Sequence, residues 1–477
     1  MQEQNQRKQH NTLDLENISC TVTKYADMAI HYSLIAYIVV QTVTSFIGLS
    51  LWGNPASLSV MVLHRISLFL VVIVIFSLPF RKSPCMLNFI THILPIMFII
   101  LLTCLAIISS FFSINTELSH NGAPYRYEGI WSILSYYVLF IASLHIYNKN
   151  KQLLILYFII GSGALQGLYG ILQHYHDYFD AFIPQIYAKN GVASSGFIGN
   201  PNFFGSFLVL LVGITLAITC LSKAPKYRLY FGLLNVCFFT LAIFSNTTSS
   251  WVGIFISYIV GLVFAIIAKK VKTSSSSQID QQEKKQIVYH WIGIGLIYVC
   301  VFLSLNYMED WVYMRGLIEV SAEAIHVVQK AEISDGMGSF RGYIWKASIS
   351  FIPQFWLHGC GIDALDALNI RIPGFPDVHV DKVHNEYLHI ALTQGIPTLL
   401  IYLAFITNIL VVGLLNLSKP QKESSNWLSM ALFLSFIGYL AQAFFNISIV
   451  NVAPYFWIIC GFICSSLYSG YQLQLQH

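Results

Sequence analysis

Arg126, Lys189, Arg341, Arg371, Lys382 and His384 lie in three polar segments (121–129, 187–202 and 306–385), each between apolar stretches. The longest ends in Val383-His384-Asn385-Glu386-Tyr387-Leu388-His389 just as the next apolar stretch begins. A guanidinium offers up to five donors in a fixed fork and stays charged, which suits a phosphate or diphosphate. Arg341 is placed for that, or for pairing with lipid headgroups at an interface. An imidazole near neutral pH acts as base, acid or phosphate-binding cation according to its partner. His384 has those roles open to it, or is a solvated helix-start residue beside an Asn385 cap.

His379, Asp381, His384 and His389 are also metal-ligand types. The metalloprotease pattern sets two histidines four apart on one helix face. His384 and His389 are five apart, about 140° around a helix, so the spacing argues against a metal.

Helices must carry these residues. The run Phe340, Ile344, Ala347 and Phe351 has helical spacing and makes Arg341 the start of a helix. A helix beginning near His384 sets it on one face with Tyr387 and Leu388, and turns Glu386 and His389 elsewhere. Asn200-Pro201-Asn202 predicts a turn into a helix, with Asn as cap and Pro in the first turn. Arg126 and Glu128 flank Tyr127 and pair either with each other or with a lipid.

With 56% hydrophobic and 10% charged residues among 477, the chain is not a soluble globular protein, in which about 25% are charged. Twelve apolar windows of bilayer-spanning length are predicted: 29–52, 59–80, 88–112, 129–147, 152–173, 203–221, 227–245, 250–268, 287–305, 388–415, 427–446 and 453–470. The expected class is all-α, a polytopic integral membrane protein with about twelve transmembrane helices. Residues 1–28 and 471–477 are tails, 29–305 carry spans one to nine, 306–387 form a large loop with short helices, and 388–470 carry spans ten to twelve.

Charge orients the spans. Arg7, Lys8 and Lys24, with the loops at Arg81/Lys82, Lys149/Lys151, Lys223–Arg228, Lys269–Lys285 and Lys419/Lys422, hold seventeen of the 26 Lys and Arg residues. Both termini are therefore expected in the cytoplasm, and all three polar segments on the outer side. Residues 273–285 are low in complexity and predict a solvated linker. The start lacks the basic region and cleavage site of a signal peptide, so the first apolar segment is expected to stay as an anchor. Most cysteines fall in apolar segments, which argues against a disulfide framework or a cysteine-based zinc site.

Five pieces together resemble the O-antigen ligase and O-antigen polymerase superfamily of bacterial membrane proteins. They are Arg126-Tyr127-Glu128-Gly129; Gly199-Asn200-Pro201-Asn202; Arg341 with Trp345; Pro353 followed by Gly359-Cys360-Gly361-Ile362-Asp363; and His384-Asn385-Glu386-Tyr387-Leu388 leading to Gly395-Ile396-Pro397. The resemblance spans about 126–400. It implies a glycosyltransferase at the outer face of the bacterial cytoplasmic (inner) membrane, moving a glycan from an undecaprenyl-diphosphate carrier to a saccharide, lipid, wall or protein acceptor. No cofactor, metal or nucleic acid is implied, and membrane lipids are the surroundings. By the same resemblance Arg341 binds the diphosphate, and His384 activates the acceptor hydroxyl or orients the leaving group.

Members often carry further arginines where this chain has Ala193-Ser194-Ser195 and Asn246-Thr247-Thr248-Ser249-Ser250-Trp251. Arg126, Lys189, Arg371 and Lys382 are left to complete the anion site, with Asn202, Asn385, Glu386 and Tyr387 of the matched motifs as substrate contacts. The alternative is a transporter or flippase of a lipid-linked or amphipathic anion, which places ionisable groups near the bilayer midplane. The spans here are nearly free of charge, and the exception, Arg65, lies toward the outer end of its span.

Overall fold

The computed structural model describes residues 2–81, 89–175, 193–270, 278–330, 333–418 and 423–472. Its helices are α1 (Gln2–Trp52), α2 (Ala56–Ser77), α3 (Leu94–Phe111), α4 (Thr116–Asn121), α5 (Ile130–Leu144), α6 (Lys149–His174), α7 (Pro201–Leu221) and α8 (Pro225–Phe244). They continue with α9 (Thr248–Lys270), α10 (Gln278–Met308), α11 (Val312–Lys330), α12 (Met337–Phe355), α13 (Glu386–Gln394), α14 (Ile396–Ser418), α15 (Glu423–Ala443) and α16 (Ala453–Gln472). The all-α class holds; a two-stranded antiparallel hairpin, β1 (Arg371–Ile372) and β2 (Phe375–His379), sits between α12 and α13.

Among the described residues, nine helices are long and apolar enough to cross a membrane, within α1, α2, α3, α6, α7, α8, α9, α10 and α14. Three shorter apolar helices, Ile130–Leu144, Trp427–Ala443 and Ala453–Ser466, occupy the places of the other three predicted spans. The molecule is organised around α7, whose apolar stretch is 94% buried against 22–50% for the other eight long helices. Its run from Phe203 to Cys220 is apolar or small on every face, as a helix enclosed by neighbours must be. It packs most extensively on α15 and α8. Small hydroxyls join α7 to α15: Ser435 Oγ donates to Leu210 O at 2.8 Å, and Ser206 Oγ to Gln442 Oε1 at 2.8 Å. In an apolar surround such groups must find internal partners.

Three boundaries differ from expectation. Residues 2–28, expected as a tail, are helical and continue into the first apolar window, so α1 is a single helix. The expected linker at 273–285 is helical from Gln278, where α10 begins, while 271–277 lie outside the described residues. The predicted tenth span at 388–415 is two helices. Gly395, at φ +92°, ends α13; Ile396 N there donates to Trp356 O at 2.7 Å, and α14 starts afresh with Pro397 in its first turn. A Cβ at position 395 would press on the backbone of Leu357 and His358, so only glycine fits this turn.

Candidate active site

The stretch before Arg341 is built on strain. Gly338, Ser339 and Phe340 are all left-handed, with φ of 58°, 59° and 68°, and regular helix begins only at Arg341. For the two non-glycine residues this conformation costs about 1–2 kcal/mol each. The turn is held from outside: Gly338 N donates to both oxygens of Glu323 on α11 (3.3 and 3.2 Å), and the Phe340 ring meets Phe375 of β2 edge-on at 5.4 Å. Arg341 therefore emerges at the first turn of α12, half-buried. Among the described residues its guanidinium has no hydrogen-bond or ion-pair partner. Burial draws its pKa down from the ordinary value, and the Glu323 carboxylate opposes that shift.

One turn along α12, Trp345 ties this arginine to the histidine motif. Its indole Nε1–H donates to Val383 O at 3.0 Å, immediately before His384. His384 is not on the helix with Tyr387 and Leu388, as the sequence pattern suggests. It precedes the cap at φ +55°, and Asn385 (φ −153°) is the N-cap, accepting Leu388 N at 2.9 Å. The helix starts at Glu386 because the Asn385 side chain occupies one of the free amides of its first turn, that of Leu388. His384 Nδ1 is buried and has no hydrogen-bond partner among the described residues. Burial, then the charges of Arg341 and Arg126, bring its pKa down to about 4, with Asp381 opposing. At neutral pH it is an uncharged imidazole, the form that accepts a proton.

Arg126 chooses between the partners open to it by reaching across the chain. Its Nε and Nη2 donate to the two oxygens of Asp381 at 2.6 and 3.1 Å, and its guanidinium lies 5.6 Å from the centroid of the Phe203 ring on α7. Tyr125 and Tyr127 on either side have positive φ (74° and 58°), which turns Glu128 the other way. Glu128 is buried, accepts the Tyr136 hydroxyl at 2.8 Å, and burial raises its carboxyl to about 8. Polar segments 121–129 and 306–385 thus meet at Arg126, against the helix that the Asn200-Pro201-Asn202 turn begins.

Lys382 carries a charge already matched. Its ammonium pairs with Asp363, and side-chain exposures of 2% and 0% put both in the interior. Asp363 Oδ2 also accepts Ala123 N at 2.6 Å, anchoring the Arg126 loop. Beneath the surface site lies a cavity of about 60 Å³ lined by Glu128, Tyr136, Asp363, Lys382, Glu386 and His389 among others. That volume has room for a few waters. Burial raises the Glu386 carboxyl, which accepts Ser448 N at 2.7 Å, and depresses His389 well below its ordinary range.

The Gly359-Cys360-Gly361 stretch caps the far end of α13. Cys360 N and Gly361 N donate to Leu392 O and Thr393 O at 2.9 and 3.0 Å, satisfying carbonyls at the helix C-terminus. Gly359 has φ +75°, and a Cβ there would run into the Thr393 backbone.

Residues 233–403 match the family model described as O-Antigen ligase. This match supports the O-antigen ligase/polymerase superfamily for the chain. No curated protein matches it. The family indicates a glycosyltransferase of the O-antigen ligase type, working on a lipid-linked glycan donor and a glycan acceptor. The match covers about a third of the chain; it includes Arg341, Arg371 and 382–387, while Arg126 and Asn202 lie before it.

Arg341, His384 and Arg126 form one electrostatic cluster with Asp381 and Lys382. The Tyr387 hydroxyl donates to Leu440 O at 3.0 Å, fixing α13 to α15. Asn202 contributes its backbone carbonyl to the packing at the start of α7, accepting Asn446 Nδ2 at 2.9 Å. Arg371 lies half-buried in the hairpin beside α12, in register with His379. Lys189 lies outside the described residues. Among the metal-ligand types, His379 pairs with Asp366 at 3.1 Å and Asp381 with Arg126; no group of three or more such side chains gathers among the described residues. Sequence reasoning missed Asp363 and Glu323 as partners of the site, and it weighed Asp381 only as a metal ligand.

Proposed function

We propose that this protein transfers or polymerises a glycan from an undecaprenyl-diphosphate carrier at the outer face of the cytoplasmic membrane. The carrying observation is that Trp345, through Val383 O, holds Arg341 next to a neutral His384. Arg341 and Arg126 take the diphosphate, with Arg371 and Lys189 as further cations of the outer surface. His384 takes the acceptor's proton. The acceptor oxygen attacks the anomeric carbon, the bond to the diphosphate oxygen breaks, and the electron pair leaves with undecaprenyl diphosphate. Guanidinium donors aimed at that leaving oxygen stabilise the transition state more than the ground state. Asn385, Glu386 and Tyr387 set the position of His384, Glu386 and Tyr387 through contacts to Ser448 and Leu440. The concentration of Lys and Arg in the alternate loops supports cytoplasmic termini and an outward site.

The test is release of undecaprenyl diphosphate, with glycan extension or transfer, by the purified chain in lipid nanodiscs. Arg341→Ala is expected to lose about 10²–10³-fold in turnover, and His384→Ala about 10²–10⁴-fold. Unchanged turnover in both variants sinks the assignment.

A further inference from the structure

Three cations of the site each have a carboxylate, but not on equal terms. Arg126 is gripped by Asp381 and Lys382 by Asp363, both directly. Among the described residues the carboxylate that acts on Arg341 is Glu323, without an ion pair, and the two meet through Gly338. Glu323 Oε1 and Oε2 take the Gly338 amide at 3.3 and 3.2 Å, the long end of hydrogen bonding. The stem of Arg341 lies along the same glycine, its Cβ and Cδ 3.5 Å from where a Gly338 side chain would begin.

Glu323 also sits on a sparsely anchored helix. α11 follows the spanning helix α10 directly and exposes Leu317, Ile318 and Ile325 at 41%, 58% and 55%. Its contacts with α9, α10 and α12 are sparse. A carboxylate on such a helix is free to leave at small cost, unlike Asp381 or Asp363.

We propose that Glu323 is the resident counter-anion of Arg341 and that a lipid diphosphate displaces it, so that Glu323 sets the threshold for donor binding. This rests on the reading that Arg341 receives the diphosphate. Glu323 acts through Arg341 and the 338–340 turn; it is a positioning residue and touches no reacting atom. The unliganded arginine keeps a balancing charge, since a buried cation without one is costly. An anion of lower charge than a diphosphate competes less well against the resident carboxylate, which gives the site selectivity.

The test uses the full chain in nanodiscs of zwitterionic lipid, with undecaprenyl diphosphate as probe and phosphatidylglycerol as the headgroup control. Glu323→Gln keeps an oxygen for the Gly338 amide and removes only the charge. It is expected to tighten undecaprenyl diphosphate binding about three- to tenfold and to change nothing in an Arg341→Met background. In the wild type, the probe is expected to speed amide exchange at Gly338 as Glu323 withdraws. Unchanged or weaker binding by Glu323→Gln, with Arg341→Met still weakening it, overturns the proposal alone, as does slower exchange at Gly338. An equal gain for phosphatidylglycerol overturns the diphosphate assignment. Wild-type affinity in Arg341→Met overturns the underlying reading and this proposal with it.

Discussion

Lys382→Met should be among the most damaging single changes around the site, and more damaging than Asp363→Asn. The lysine and aspartate are 2% and 0% exposed, so removing the ammonium strands a carboxylate whose other bond in hand is the Ala123 amide. Breaking a buried pair from one side costs about 3–5 kcal/mol, a large part of a total stability of about 5–15 kcal/mol. Asp363→Asn keeps an oxygen for Ala123 and leaves the ammonium facing Glu128 and Glu386 across the cavity. Either can ionise and take the charge, because Lys382 already draws both carboxyls down against the effect of burial. Its cost should fall to about 2–3 kcal/mol.

The double variant removes both charges, and a coupling of about 2 kcal/mol or more is expected. Unfolding in mixed micelles, followed by the fluorescence of the nine tryptophans, reads the full cycle. A Lys382→Met cost under about 1 kcal/mol, or a double variant equal to the sum of the singles, refutes the argument. Donor affinity in the double variant settles the other role open to Lys382. A tenfold loss would return it to the diphosphate site, and a change within about twofold leaves it structural.

The pH dependence of kcat/KM should show an acid limb near pH 4, because the free enzyme needs His384 neutral and its folded value is about 4. The stability this depressed histidine contributes is present above its ordinary 6.5 and is lost as pH falls from 6.5 to 4; an acid limb at 6.5 refutes the assignment. Glu128→Gln keeps the Tyr136 bond and removes a carboxyl raised to about 8. A raised carboxyl favours the fold at low pH and loses that effect as pH rises through 8. The variant should therefore match wild type near pH 4.5 and exceed it by about 1–3 kcal/mol at pH 8.5 in thermal unfolding. Gly359→Ala should cost about 2–4 kcal/mol, from the left-handed backbone and the collision with Thr393, and should show as a lowered unfolding temperature.

What could be read from the chain beforehand were features that repeat locally. Apolar windows located the spans because a bilayer demands continuous apolar length. The spacing of Phe340, Ile344, Ala347 and Phe351 located the helix that Arg341 begins. The break at Gly395 was signalled by Gly-Ile-Pro, but apolar residues on both sides outweighed it in a pattern search. Pairings were harder: Arg126 has a carboxylate two residues away in Glu128, yet its partner is 255 residues distant, because Tyr125 and Tyr127 take left-handed backbone. Lys382 in a polar segment looks like a solvated cation, and only the fold brings Asp363 to it.

These misses share a cause that bears on function. A half-buried anion site cannot keep uncompensated cations, so each is matched by a carboxylate wherever the fold supplies one. Asp381 and Asp363 pair directly and Glu323 balances Arg341 through Gly338, so on the proposed reading donor binding at this site is an exchange of anions. Its affinity is then set by the strength of the resident pairs as much as by the number of cations. Glu323, the partner on a sparsely anchored helix, is where the exchange costs least.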